Sequence, residues 1–198
     1  MKLRENTVGV IGLSSVILFL ASLLIFGVAN NEFNLKDDYV SKLGARGEPN
    51  ALFFNLSGFV TVGLLLFVFG LSYGRLQRDN LLSVLLSLFG LGFAFTAIPI
   101  DMQVSNSTIS KAHIVAICLG LAFWLFGLSR LGYNQQLTKR IRDRANLTAI
   151  ILVVSIIGFA MGLWSMPVTH RLVFGIVFSW TTLSSFELIY KRRGNETN

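Results

Sequence analysis

The sequence predicts an all-α, polytopic membrane protein: six transmembrane helices in one bundle, with both termini in the cytoplasm. Three observations predict it. Hydrophobic residues make up 53% of the 198-residue chain and charged residues only 14%, and the mean hydropathy is +0.65, a balance that soluble domains do not show. The apolar residues gather in six blocks close to the ~20 residues that cross a bilayer as a helix. Basic residues are dense in alternate joints between these blocks and sparse in the others, as expected for a chain that crosses a membrane repeatedly.

The six spans run roughly Val8 to Ala29, Ala51 to Tyr73, Leu81 to Ile100, Ala112 to Leu131, Leu147 to Met166 and Leu172 to Tyr190, and no central portion carries a charge. The first follows Lys2 and Arg4 as a signal peptide would. Its apolar core exceeds the ~7–15 residues usual there, and "GVANNEF" offers no good cleavage site, so it reads as a retained signal anchor. The stretch 30–50 that follows is long for a simple connector and mixes acids, bases and the Tyr39–Val40 pair. Gly44, Gly47 and Pro49 mark turns in it, so it is expected to fold back on the bundle. One domain, 1–198, accounts for the whole chain.

Charge placement supplies the orientation. Lys2, Arg4, Arg75, Arg78, Arg130, Lys139, Arg140, Arg142, Arg144, Lys191, Arg192 and Arg193 fall on one side, twelve in all, and Lys36, Lys42, Arg46, Lys111 and Arg171, five, on the other. The basic-rich side is the cytoplasmic one. The net charge of +7 is thus topogenic and does not imply a nucleic-acid partner; the expected partners are membrane lipids and other membrane-protein subunits. The cytoplasmic "RLGYNQQLTKRIRDRANL" suits anionic headgroups, though topogenic charge explains it equally. The single cysteine, Cys118, excludes an intrachain disulfide and is expected to pack as a small hydrophobe.

Within the spans, Gly58, Gly63, Gly70, Gly90, Gly92, Gly120 and Gly127 would let helices approach closely. "FVFGLSYGRL" and "WLFGLSRLGY" end the second and fourth spans, and "GFAFTAIP" and "GFAMGLWSMP" the third and fifth, which suggests stacked hairpins or simply the common vocabulary of membrane helices.

With the topology set, the outer side collects Asp38 and Ser41 in the long loop, Asn55 in the second span, Asp101 after the third, and His113, His170 and Arg171 at helix starts. These form the candidate ligand site. Asp101, His113 and His170 would suffice as ligands of a zinc ion with water in the open position, but no HExxH-like spacing supports it, and a histidine at a helix start serves equally as an interface residue. Asp101 and His113 are expected to share a hydrogen bond or ion pair, direct or through one water, across their short loop. Ser41 beside Asp38 or His113 would be a nucleophile; as a turn or cap serine it would be structural. Asn55 should find a partner on another helix. "NST" at Asn106 is a glycosylation sequon, and phosphate-binding glycine loops and dinucleotide fingerprints are absent.

Two stretches, "DDYVSKLGARGEPNALFFN" and "IPIDMQVSNSTISKAHIVA", together resemble the six-helix membrane proteins grouped as domain of unknown function 998. The pattern is an outer-loop Ser-x-Leu-Gly, a Pro and an Asn leading into the second span, then Pro-x-Asp and a His opening the fourth. The matching positions are Ser41, Leu43, Gly44, Pro49, Asn55, Pro99, Asp101 and His113. The resemblance implies a six-helix fold and a shared outer site but no established activity. A remoter similarity, to alkaline ceramidases and adiponectin-receptor-like membrane hydrolases, implies seven helices and three zinc histidines, where this chain has six spans and two histidines. The expected function is an outward-facing polar site for a lipid headgroup or small polar ligand, with membrane hydrolysis as its extension. The alternative is an accessory subunit of a membrane complex without catalysis; transport is disfavoured because no span centre is ionisable.

Overall fold

The computed structural model describes residues 3–102, 104 and 107–190, so Lys2, Asn106, Lys191, Arg192 and Arg193 lie outside the described residues. Among the described residues six helices make up the fold: α1 (Glu5–Ala29), α2 (Ala51–Leu76), α3 (Asn80–Phe95), α4 (Thr108–Tyr133), α5 (Lys139–Ala160) and α6 (Met166–Tyr190). Within α2 the segment Asn55–Thr61 is π-helical. A short 3₁₀ turn, Val40–Gly44, lies in the long loop.

Five of the six are long and apolar enough to cross a membrane; the third is not. The expectation of a full span over 81–100 is therefore corrected to a 16-residue helix, about 24 Å at 1.5 Å per residue. It stops early because Pro99 disfavours helical backbone at the residue before it. The chain has already left the helix at Thr96, whose hydroxyl donates to the Phe93 carbonyl at 2.6 Å. The α5–α6 boundary also shifts. Gly162, at φ +73°, takes the left-handed conformation that ends α5, with Leu163 N–H donating to the Gly158 carbonyl. Pro167 then sits in the first turn of α6, where its missing N–H does no harm. His170 consequently lies inside α6 and not at the very start.

Each helix packs on its neighbours in sequence, and α6 returns to α1, so the six close into a ring. The tightest pair is α2–α3. An added Cβ at Gly63 would stand 2.4 Å from Ala94 N, and one at Gly90 2.3 Å from Phe67 N, so here backbone meets backbone. Gly70 and Gly127, equivalent in the two similar span ends, both face Leu86 of α3. Aromatic rings fill the interior: Trp180 lies edge-on to Tyr73 and Trp124, and Phe19 stacks on Phe178. Leu66, Phe69, Phe89 and Trp124 border a small void with room for one water at most.

The outward faces are apolar as well. Ile17, Leu24, Phe126, Ile150 and Leu183 are each about half exposed or more, which in water would leave a large unprotected surface and in lipid is the required one. Cys118 belongs to this face: it is exposed, off the stripe of α4 that buries His113, Gly120, Trp124 and Leu131, and so does not pack inside as expected.

Candidate functional site

At one end of the ring, the loop 30–50 covers the helix ends as a lid. Val40, Leu43 and Ala45 are buried almost completely, and their burial pulls the 3₁₀ turn down onto the bundle. Polar ties then hold it. Arg46 N–H donates to the Ile100 carbonyl at 2.8 Å, joining the lid to the α3–α4 connection. Buried Asn30, at the end of α1, donates its amide to Glu48 at 2.8 Å.

Arg171 latches the other edge. Its guanidinium donates to the Pro167 carbonyl on its own helix and to the carbonyls of Leu35 and Asp38 in the lid. Asp38 accepts from the Asn34 amide and the Lys42 ammonium, each at 2.8 Å, while Lys42 also reaches the Glu32 carbonyl at 3.0 Å. Burial opposes ionisation of Asp38, but Lys42, the Asn34 amide and nearby Arg171 outweigh it and hold its carboxyl below the usual range. The bond to Asp38 correspondingly raises Lys42 above the usual lysine range. The role of Lys42 was missed from sequence, although its place four residues after Asp38 was a legible signal.

Asn55 finds its partner in the lid and not on another helix: its amide donates to the Gly44 carbonyl at 2.9 Å. A Cβ at Gly44 would stand 2.0 Å from Asn55 Oδ1, so any other residue here would displace the amide that makes this bond. The Ser-x-Leu-Gly and Asn of the sequence pattern are thus two halves of one contact. Ser41 is buried in the same turn.

Beneath the lid lie the two histidines. His113 is 3% exposed, and its Nδ1 sits 2.8 Å from the Ile98 carbonyl. A carbonyl only accepts, so Nδ1 carries the hydrogen and the neutral ring presents Nε2 as an acceptor. That Nε2 is buried without a hydrogen-bond partner, as is Nδ1 of His170. The two rings are within electrostatic range of each other, and His170 is walled by Tyr39 of the lid and Phe174 of its own helix, with ring centroids 5.8 and 6.3 Å away. Tyr39 Oη donates onward to Met102 Sδ.

The expected direct bond between Asp101 and His113 does not form. The Ile98 carbonyl takes Nδ1, while Asp101 turns back to its own loop, accepting from Val104 N–H at 3.0 Å; its backbone N–H donates to Ser110 Oγ. Asp101, His113 and His170 accordingly do not assemble as a zinc site, and among the described residues no three His, Cys, Asp or Glu side chains are placed to hold a metal. Nor does Ser41 pair with His113, whose Nδ1 is taken by the Ile98 carbonyl and whose Nε2 has no hydrogen-bond partner. The structure therefore joins Asp38, His113, His170 and Arg171 at or under the lid, makes Asn55 a lid anchor, and leaves Asp101 in the adjoining turn.

An all-helical ring with five long apolar helices and apolar outward faces defines the class: a multi-pass membrane helical protein. The chain matches the family described as Protein of unknown function (DUF998) over residues 13–187, and it belongs to that family. No curated protein and no solved structure matches it.

Proposed function

We propose that the lidded end is an outward-facing site for a lipid headgroup or small polar ligand bearing a hydroxyl or ammonium donor, on a cell-membrane protein with both termini cytoplasmic. One observation carries the reading: His113 Nε2 and His170 Nδ1 are buried under the lid with no partner. An unpaired buried polar atom costs about 1–3 kcal/mol, so two in one place favour a bound polar group that donates to His113 Nε2 and also satisfies His170 Nδ1. Asp38, Arg171, Ser41 and Asn55 serve this site by holding the lid. The resemblance to membrane hydrolases would add a catalytic step, but it rests on three zinc histidines where this chain has two.

The ligand test compares purified wild-type protein with His113→Phe and His170→Phe, by mass spectrometry of co-purifying lipids and polar molecules and by elemental analysis for zinc. Loss of a bound molecule in both variants, with melting in detergent unchanged, is the expected result. Equal content in all three proteins sinks the ligand reading, and purification only with a fixed partner chain favours the accessory-subunit reading.

Orientation is tested separately. On a Cys118→Ser background, a cysteine at Asp37, exposed in the lid, should react with an impermeant thiol reagent on intact cells, and one at Gln136, exposed between α4 and α5, should not. Labelling of Gln136→Cys from outside reverses the assigned orientation.

A further inference from the structure

The end of the bundle opposite the lid holds a second group of buried polar side chains, drawn from three helices. Tyr73 lies three residues before the end of α2, Arg144 in the second turn of α5, and Ser184 and Glu187 in the last turns of α6. Tyr73 is 1% exposed and Ser184 not at all, yet neither hydroxyl has a hydrogen-bond partner. Ser184 and Arg144 both approach the Tyr73 hydroxyl without completing a bond to it. Arg144 Nη2 lies 2.7 Å from Glu187 Oε2, at an angle that makes a charge contact and no hydrogen bond, and Arg144 Nε is also buried without a partner.

Four buried groups able to donate go unmet in this cluster: Arg144 Nε and Nη2 and the hydroxyls of Tyr73 and Ser184. Arg144 can only donate; Tyr73 and Ser184 can satisfy each other once at most; and the one dedicated acceptor nearby, the Glu187 carboxylate, is misaligned. Neutral buried hydroxyls of this kind usually close on a carbonyl of their own helix, as Thr181 does on Val177. Ser184, one turn further along, does not. The side chains of Arg144 and Glu187 keep 11% and 21% exposure, so the charged edge of the cluster reaches the surface.

We propose that this cluster binds a phosphate-type oxyanion, gripped by Arg144 and capped from inside by the hydroxyls of Tyr73 and Ser184. A phosphate oxygen supplies acceptors and no donors, and the planar guanidinium fork suits it, whereas the opposed Glu187 sets the affinity by competing for Arg144. An anionic phospholipid headgroup and free phosphate offer the same chemistry. The site is independent of the lidded one, since it shares no residue with it and lies at the other end of the helices.

The experiment places the protein in phosphatidylcholine nanodiscs, with phosphatidylglycerol doped in for one arm and inorganic phosphate titrated in the other, and counts bound species by native mass spectrometry. Wild type should retain one of the two. Arg144→Gln should weaken that binding about tenfold or more, as loss of a charge-assisted pair does. Tyr73→Phe and Ser184→Ala, which delete only hydroxyls and should fold even where Arg144→Gln does not, should each weaken it measurably. Glu187→Gln should tighten it, a gain that a purely structural Arg144–Glu187 pair would not produce. Phosphatidylglycerol binding that depends on these residues assigns a lipid, and phosphate binding a free anion. Failure to bind either, or binding indifferent to Tyr73→Phe and Ser184→Ala, overturns the proposal.

Discussion

Replacing Gly90 with valine should prise the α2–α3 hairpin apart and cost about 2–3 kcal/mol of stability, the upper part of the usual overpacking range. A Cβ at Gly90 would stand 2.3 Å from Phe67 N, 2.6 Å from Phe67 Cα and 2.8 Å from the Gly63 carbonyl oxygen. Those are backbone atoms of the facing helix. No rotamer change can relieve the clash, so the helices must separate and lose the contacts on both sides, including those of Phe89 and Phe93 with the ring interior. Gly175 is the control: nothing lies within 4 Å of a Cβ there, and alanine should be neutral or mildly stabilising by removing a helix-interior glycine. Thermal or detergent unfolding that ranks Gly90→Val with Gly175→Ala would show the close packing to be wrong.

Asp79→Ala should cost about 2 kcal/mol, with a pH dependence that identifies its cause. Asp79 caps α3 by accepting from Leu82 N–H at 3.0 Å, and it pairs with Arg130 Nε at 2.7 Å, tying the α2–α3 turn to α4. The cap contributes about 1 kcal/mol. The ion pair adds less than about 1, because the Arg130 side chain is 51% exposed and screened by solvent. Burial pushes the Asp79 carboxyl up, but the Leu82 amide and Arg130 outweigh it, and the net displacement is below the usual carboxylate value. A depressed folded-state pKa contributes stability that is complete above the unfolded value near 3.8 and is lost as pH falls through the folded value. Wild type should therefore lose the charge-dependent part of its advantage over Asp79→Ala, and lose it only in that acid window. A stability difference that instead shrank between pH 6 and 8 would assign the effect to another group. Asp79→Asn, which keeps the cap oxygen and loses the charge, should fall between the two.

The outer ends of the helices were harder to read than their middles. The span ends near Phe95 and Ala160 depend on Pro99 and on the left-handed Gly162, single residues whose effect is overridden in a hydropathy window by the apolar residues beside them. The site was legible as a list of residues but not as a set of contacts. His113, His170, Arg171, Asp38 and Asn55 were all picked out as polar residues at helix ends, where polarity is costly enough to need a reason. Their partners were not, because the contacts of His113, Asn55 and Arg171 run to backbone carbonyls, of Ile98, Gly44, Pro167, Leu35 and Asp38, and a carbonyl leaves no mark on the sequence.

By itself the sequence determined the class, the number of helices, their order and the segment that would fold over one end. These depend on the length of apolar runs and on where charge interrupts them, both of which lipid and water sort locally, residue by residue. The tertiary structure alone decided that α6 closes on α1, that Asp101 turns away while His113 and His170 share a lid, and that Tyr73, Ser184 and Arg144 meet at the far end. The physical reason is that these helices are apolar on their outward as well as their inward faces, so hydrophobicity does not say which way a side chain points. That choice is made by close approach at glycines such as Gly63 and Gly90 and by hydrogen bonds between residues far apart in the chain, both of which exist only once the helices have packed.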